Sequence, residues 1–89
     1  MNAMEAAVKV RDALVDIYGA ENTVDLMLWD SEMCAEAGYG DGEAAIVWEG
    51  APLHDWAVEI SMTRPVLNLA GILAEPYNGH ILNFYTVEG

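Results

Sequence analysis

The side chains that most often carry out catalysis are sparse in this sequence. It has one cysteine, Cys34, which lies close to Asp30, Glu32 and Glu36. A nucleophilic cysteine needs a neighbouring base and a positive environment to form its thiolate. These three carboxylates should instead raise the pKa of the Cys34 thiol. We therefore interpret Cys34 as a small, half-buried apolar residue without catalytic chemistry.

Metal and phosphate binding are also poorly supported. Zinc sites need histidines and cysteines clustered at short spacings, and His54, His80 and Cys34 are not spaced in this way. The GDGE segment at residues 40–43 contains fragments of a calcium loop but lacks the ligand spacing of an EF-hand. No glycine-rich loop with a lysine precedes a helix, as a phosphate cradle requires. We expect no metal and no cofactor.

Carboxylates are the abundant chemical group. Fifteen Asp and Glu residues against three Lys and Arg give a net charge of −12. Paired carboxylates can perform acid–base catalysis, but among so many acids pairs arise by chance, and none accompanies a recognisable apolar pocket. A chain of 89 residues leaves little room for a pocket beside its core. We therefore predict that the protein is not an enzyme.

The acids are concentrated after the first nineteen residues. Residues 1–19 hold three acids and two bases, a net of −1, whereas residues 20–89 hold twelve acids and one base, a net of −11. Residues 21–59 contain ten acids and no Lys or Arg. Such a surface repels DNA, RNA and anionic membranes and attracts basic proteins. The predicted partner-binding residues are Asp25, Asp30, Glu32, Glu36, Asp41, Glu43, Glu49, Asp55 and Glu59.

Composition predicts a single acidic domain over residues 1–89. The apolar fraction of 54% opposes disorder of the whole chain despite the charge. No leader-like segment and no apolar run of about 18 to 20 residues is present, so we expect no membrane association. One cysteine favours a reducing compartment. We therefore expect a cytoplasmic protein, acting in the host cytoplasm if a phage encodes it.

Residues 3–18 are predicted to form a helix. Asn2 and Glu5 have the spacing of a capping box, and Gly19 can end the helix. Its predicted apolar face comprises Ala7, Val10, Leu14 and Ile17.

Residues 23–37 fit two structures. A helix would align Leu26, Trp29 and Met33 on one side, with a stripe of acids beside them, whereas a strand would alternate from Val24 to Asp30. The Ala, Met and Glu content of residues 32–37 favours a helix. Helix is the preferred interpretation, and the strand remains open.

The second half of the sequence predicts strands. Residues 43–49 are rich in strand formers, and residues 55–62 alternate between apolar and polar. Two apolar runs then flank Asn78-Gly79, the preferred pair for a type I′ hairpin turn. With that two-residue turn, Glu75 faces Leu82 and, further along, Leu73 faces Phe84.

The predicted fold is a small α+β domain, with one or two N-terminal helices packed on one face of an antiparallel sheet. The sheet should have about four strands and end in the Asn-Gly hairpin.

The distribution of charge suggests a function. Duplex DNA presents a negative charge about every 1.7 Å along its axis, and a dense line of carboxylates can occupy the same basic groove. The chain is similar in size and charge to small acidic inhibitors made by phages, including some anti-CRISPR and anti-restriction proteins. We therefore predict an inhibitor-type protein whose negative surface occupies the nucleic-acid-binding site of a partner, without binding nucleic acid itself.

Three alternatives remain open. The protein can bind a partner, or a second copy as a homodimer, through an edge strand of the last hairpin or through exposed aromatic residues. It can also be an acidic domain from a high-salt proteome, or an enzyme. The aromatic candidates are Trp29, Trp48, Tyr77 and Tyr85.

Overall fold

The computed structural model describes residues 1–38, 42–48, 71–78 and 80–87. These residues form two helices on a four-stranded antiparallel sheet, which confirms the predicted α+β class. The helices are α1 (Ala3–Tyr18) and α2 (Ser31–Ala37), and a 3-10 turn (Ala20–Asn22) follows α1. The strands are β1 (Met27–Asp30), β2 (Ala44–Val47), β3 (Ile72–Asn78) and β4 (Ile81–Thr86).

Helix α1 begins at the predicted capping box. The Asn2 side chain accepts a hydrogen bond from the Glu5 backbone N–H at 2.8 Å, and the Asn2 N–H donates to the Glu5 carboxylate at 3.1 Å. The buried stripe continues from Leu14 to the partly buried Tyr18, four residues later, rather than to Ile17. The expectation that Ile17 lies in the core is wrong: it is on the same side of the helix as the buried Val10, seven residues earlier, but it is 47% exposed in the last turn of α1.

The segment 23–37 is a strand followed by a helix, so the preferred single helix is wrong over its first half. Residues 27–30 pair with β2 as β1, with Met27 opposite Val47. The composition that favours a helix belongs to residues 32–37, which do lie in α2, whereas pairing with β2 makes residues 27–30 a strand, as the open alternative allowed. The Asp30 carboxylate then caps α2 by accepting a hydrogen bond from the Met33 N–H at 2.9 Å.

The strand order is β1-β2-β4-β3, so β2 and β4 are the central strands of the sheet. Strand β2 lies within the predicted strand at 43–49. The strand predicted at 55–62 and Gly79 of the predicted turn lie outside the described residues.

The register of the last two strands differs by one residue from the prediction. Ala74, rather than Leu73, lies opposite Phe84, and a bulge interrupts the pairing between Pro76 and Asn78. The predicted register would have placed Glu75 on the same face as the buried Leu82. The extra residue in the bulge moves that carboxylate to the other face and turns Ile72 and Ala74 into the core.

The helices pack on opposite faces of the sheet, which corrects the expectation of one face. Alternate side chains of β2 point to opposite faces. Ile46 belongs to the apolar cluster that contains the buried side of α1, and Val47 belongs to the cluster that contains Cys34 of α2. All four β2 residues are buried, which shows that both faces of this strand are covered.

Gly42 lies against Asn83, and the contact predicts a specific intolerance to larger side chains. A Cβ atom at position 42 would lie 2.8 Å from both Cγ and Oδ1 of Asn83, and both residues are buried. We expect Gly42→Ala to lower the free energy of unfolding by about 1–3 kcal/mol, as overpacking usually does. Asn83→Ala removes the two clashing atoms, so Gly42→Ala should destabilise the Asn83→Ala variant much less than the original chain. Urea denaturation of the original chain, the two single variants and the double variant measures this difference. Equal destabilisation by Gly42→Ala with and without Asn83→Ala would contradict the contact.

Candidate functional site

The structure describes five of the nine predicted partner-binding acids. Asp25 is half-buried, and the other four are exposed: Asp30, Glu32, Glu36 and Glu43. The remaining four lie outside the described residues: Asp41, Glu49, Asp55 and Glu59.

Glu32 and Glu36 occupy the outermost line of α2. Cys34 is completely buried, and the two glutamates lie two residues before and after it. Each residue of an α-helix turns by about 100°, so both glutamates project about 160° away from Cys34. The rise between them is about 6 Å. We refer to this pair as the α2 acids; they point directly away from the sheet.

The longer stripe of acids predicted on residues 21–36 does not form. That prediction required one continuous helix, whereas Glu21 lies in the 3-10 turn and Asp25 precedes β1. Of the acids in that predicted stripe, Glu32 and Glu36 alone share a helix face.

Pairing of β1 with β2 brings a second pair of carboxylates to one end of the sheet. Asp30 lies opposite Ala44, the residue that follows Glu43. Both carboxylates also have structural roles. Asp30 caps α2, and the two carboxylate oxygens of Glu43 accept hydrogen bonds from the Thr86 N–H at 3.0 Å and the Thr86 hydroxyl at 2.8 Å. The Glu43–Thr86 contact spans 43 residues and has no local sequence signal.

The basic side chains among the described residues lie on α1. They are Lys9 and Arg11, and the Arg11 guanidinium contacts the neighbouring Asp12 carboxylate at 3.0 Å. Because α1 covers the opposite face of the sheet from α2, these bases are separated from the α2 acids by the sheet. Arg64 lies outside the described residues. Within the part of the chain that the structure describes, the α2 acids therefore project from a face without a base.

Cys34 is fully buried rather than half-buried. Burial, and secondly the Asp30 carboxylate, raise the pKa of its thiol. A thiol that is inaccessible to solvent and resists ionisation is a poor nucleophile. Its place in the cluster with Ala45, Val47 and Ile81 makes it the residue that anchors α2 to the sheet.

The aromatic candidates for an interface differ in their exposure. Trp48 is 2% exposed and belongs to the core, so it cannot anchor a partner. Trp29 and Tyr85 are half-buried, and Tyr77 is 50% exposed.

The described residues offer neither a cluster of metal ligands nor a membrane-spanning helix. They contain no group of three or more His, Cys, Asp or Glu side chains arranged to hold a metal ion. Neither α1 nor α2 has the length and apolar character needed to cross a membrane.

The contact between Glu43 and Thr86 predicts that Glu43 contributes to stability. Glu43→Ala removes the acceptor of two hydrogen bonds that hold the end of β4. We expect it to lower the free energy of unfolding by about 1 kcal/mol. Glu32→Ala is the matched control, since it also removes an exposed glutamate and should change stability by less than about 0.5 kcal/mol. Equal effects of the two substitutions in urea denaturation would argue against the contact.

The raised pKa of Cys34 predicts a loss of stability in alkaline solution. In the unfolded chain the thiol titrates near its ordinary value of about 8.5. Above that pH the unfolded chain loses the proton while the folded protein retains it, because the folded pKa is higher. The free energy of unfolding should therefore fall as pH rises from about 8.5 towards the folded pKa. Cys34→Ala should lack this component, and parallel stability curves for the two proteins between about pH 8 and 10 would disprove it.

Comparison of the chain with protein-family models, with characterised proteins and with solved structures found no match. The function must therefore be inferred from the chemistry of the surface. Its central feature is the outward-facing pair of α2 acids, supported by Asp30 and Glu43 at the neighbouring end of the sheet.

Proposed function

We propose that the protein is a small inhibitor whose acidic surface occupies the nucleic-acid-binding site of a partner protein. The observation that carries this proposal is the pair of α2 acids, which point away from the sheet on a face whose described residues include no base. The inhibitor acts in the cytoplasm and is of the anti-CRISPR or anti-restriction kind.

The physical basis is competition for the same cations. Sites for nucleic acids gain affinity from Lys and Arg side chains that neutralise phosphates. Carboxylates held on a folded surface can form charge-assisted hydrogen bonds to the same side chains. The high net charge of −12 also accelerates encounter with a basic surface. Affinity from these sources should be strongly sensitive to salt.

Features of β3 weigh against the alternative of binding through an edge strand. Strand β3 is the outer strand beside β4 in the sheet that the described residues form. It carries Pro76, which has no N–H to donate, together with the exposed Glu75 and a bulge. Natural sheets use these three features to prevent pairing at an edge. Charged side chains on α2 therefore offer the better-supported interface.

Competition with nucleic acid tests the proposal. Proteins captured by the immobilised chain should be released by excess DNA or RNA, and their binding should weaken steeply as salt is raised. A captured partner that binds nucleic acid and the protein simultaneously would refute occupation of the site.

Charge reversal locates the contact. Glu32→Lys with Glu36→Lys should reduce binding of the captured partner by at least about tenfold, because two attractive contacts become repulsive. The matched control is Asp16→Lys with Glu21→Lys, which changes the net charge equally at exposed sites outside α2. Binding constants for both variants separate a local contact from general attraction. Equal losses would show that net charge, rather than the α2 acids, determines affinity.

A further inference from the structure

Helix α2 is attached to the fold by little buried surface. It has seven residues, and a helix of this length is not stable in isolation. Six of the seven are exposed, and Cys34 alone is buried. Helix α1, in contrast, buries five of its sixteen residues, among them Val10 and Leu14. The position of α2 therefore depends on fewer buried side chains than the position of α1.

The two helices pack into separate apolar clusters. The cluster that contains the buried side of α1 also contains Trp48 and Phe84, the largest fully buried side chains among the described residues. Cys34 belongs to the second cluster, together with Ala45 and Val47 of the central strand β2. The sheet lies between the two clusters. Removal of α2 from its face therefore leaves the packing around α1 in place.

The ends of α2 are held by contacts between residues three apart. The Asp30 carboxylate accepts a hydrogen bond from the Met33 N–H at 2.9 Å, and the Gly38 N–H donates to the Ala35 carbonyl at 3.2 Å. Both Asp30 and Gly38 are exposed. Such local bonds stabilise the helical form of the segment, but they do not attach its outer end to the sheet. Cys34 is the buried side chain of α2 that does so.

Proteins open locally in cooperative units, and elements with few buried apolar contacts open at a lower free energy than the whole domain unfolds. We propose that α2 loses its helical structure and leaves the sheet as one unit, while α1 and the sheet stay folded. This inference goes beyond the proposed function and does not depend on it. The outward position of the α2 acids is then a reversible state of the chain, and Cys34 is accessible to solvent in the open form.

Labelling of Cys34 by N-ethylmaleimide in the folded protein, followed by mass spectrometry, measures this opening. The thiol is fully buried, so it reacts when the chain opens. When closing is faster than labelling, the rate relative to an unstructured cysteine peptide gives the population of the open form. That population should exceed the globally unfolded population, obtained from urea denaturation, by at least about tenfold. Its dependence on urea should also be weaker, because opening of α2 exposes less surface than global unfolding.

Two substitutions separate local opening from global unfolding. Asp30→Ala removes the cap of α2 and should raise the labelling rate of Cys34 about fivefold. Val10→Ala leaves a cavity in the α1 cluster and should raise the globally unfolded population by at least about tenfold. That cavity is present whether α2 is closed or open, so Val10→Ala should change the labelling rate of Cys34 by less than about twofold. Circular dichroism of each variant verifies that it is folded.

A cysteine under α1 is the matched control. In the variant Val10→Cys with Cys34→Ala, the open population from labelling should equal the globally unfolded population of the same variant. Cys34 labelling that matches global unfolding in both population and urea dependence would overturn the inference. A rise of Cys34 labelling in Val10→Ala as large as the rise in global unfolding would also overturn it. So would an unchanged rate in Asp30→Ala, because a helix that loses its structure on opening must lose its cap.

Discussion

Burial of β2 on both faces is the constraint on which the rest of the structure depends. Ala44, Ala45, Ile46 and Val47 are all buried, so apolar side chains must cover the strand from both sides. Helix α1 supplies one cover with its stripe of small and branched residues, and Cys34 of α2 contributes to the other. The opposite placement of the helices follows from this requirement. It also accounts for the outward position of the α2 acids, because anchoring through Cys34 turns them away from the sheet.

Since burial of an unpaired charge is costly, the described acids are wholly or partly exposed, and two groups among them differ in role. Glu5, Asp30 and Glu43 each accept a hydrogen bond from a backbone N–H at the end of an element. Such bonds give each carboxylate a stabilising role that offsets part of its repulsion with neighbouring acids. Glu32 and Glu36 project from the middle of an exposed helix face instead. Carboxylates of the first group shape the fold, and those of the second remain available to a partner.

The features that the sequence predicts well are those set by nearby residues. The Asn2–Glu5 capping box, the extent of α1 and the strand character of β2 all depend on local spacing. The identity of β1 depends on pairing with β2, some seventeen residues away, so the local periodicity of residues 23–30 does not distinguish a helix from a strand. The hairpin register is shifted by a bulge beside Pro76, and a proline within a strand predicts an edge strand or imperfect pairing without fixing the register. One sequence signal does indicate the position of the helices: the uninterrupted apolar run of Ala44 to Trp48 is typical of a strand covered on both faces. For the site, Glu32 and Glu36 share a face in any helix that includes them, whereas the role of Glu43 depended on distant Thr86.

The described bases and the α2 acids lie on opposite sides of the sheet, so charge is unevenly distributed between the two helices. Lys9 and Arg11 lie on α1, and the α2 acids project from the opposite side. Of the two helices, α1 carries a net charge of −1 and α2 a net charge of −2, so α2 is the more negative. The two helices also differ in how much of their surface they bury. The nearly neutral α1 provides most of the helical contribution to the core, while α2 contributes one buried residue and is otherwise available for contact. A small domain can in this way carry a large charge without placing it where the core must form.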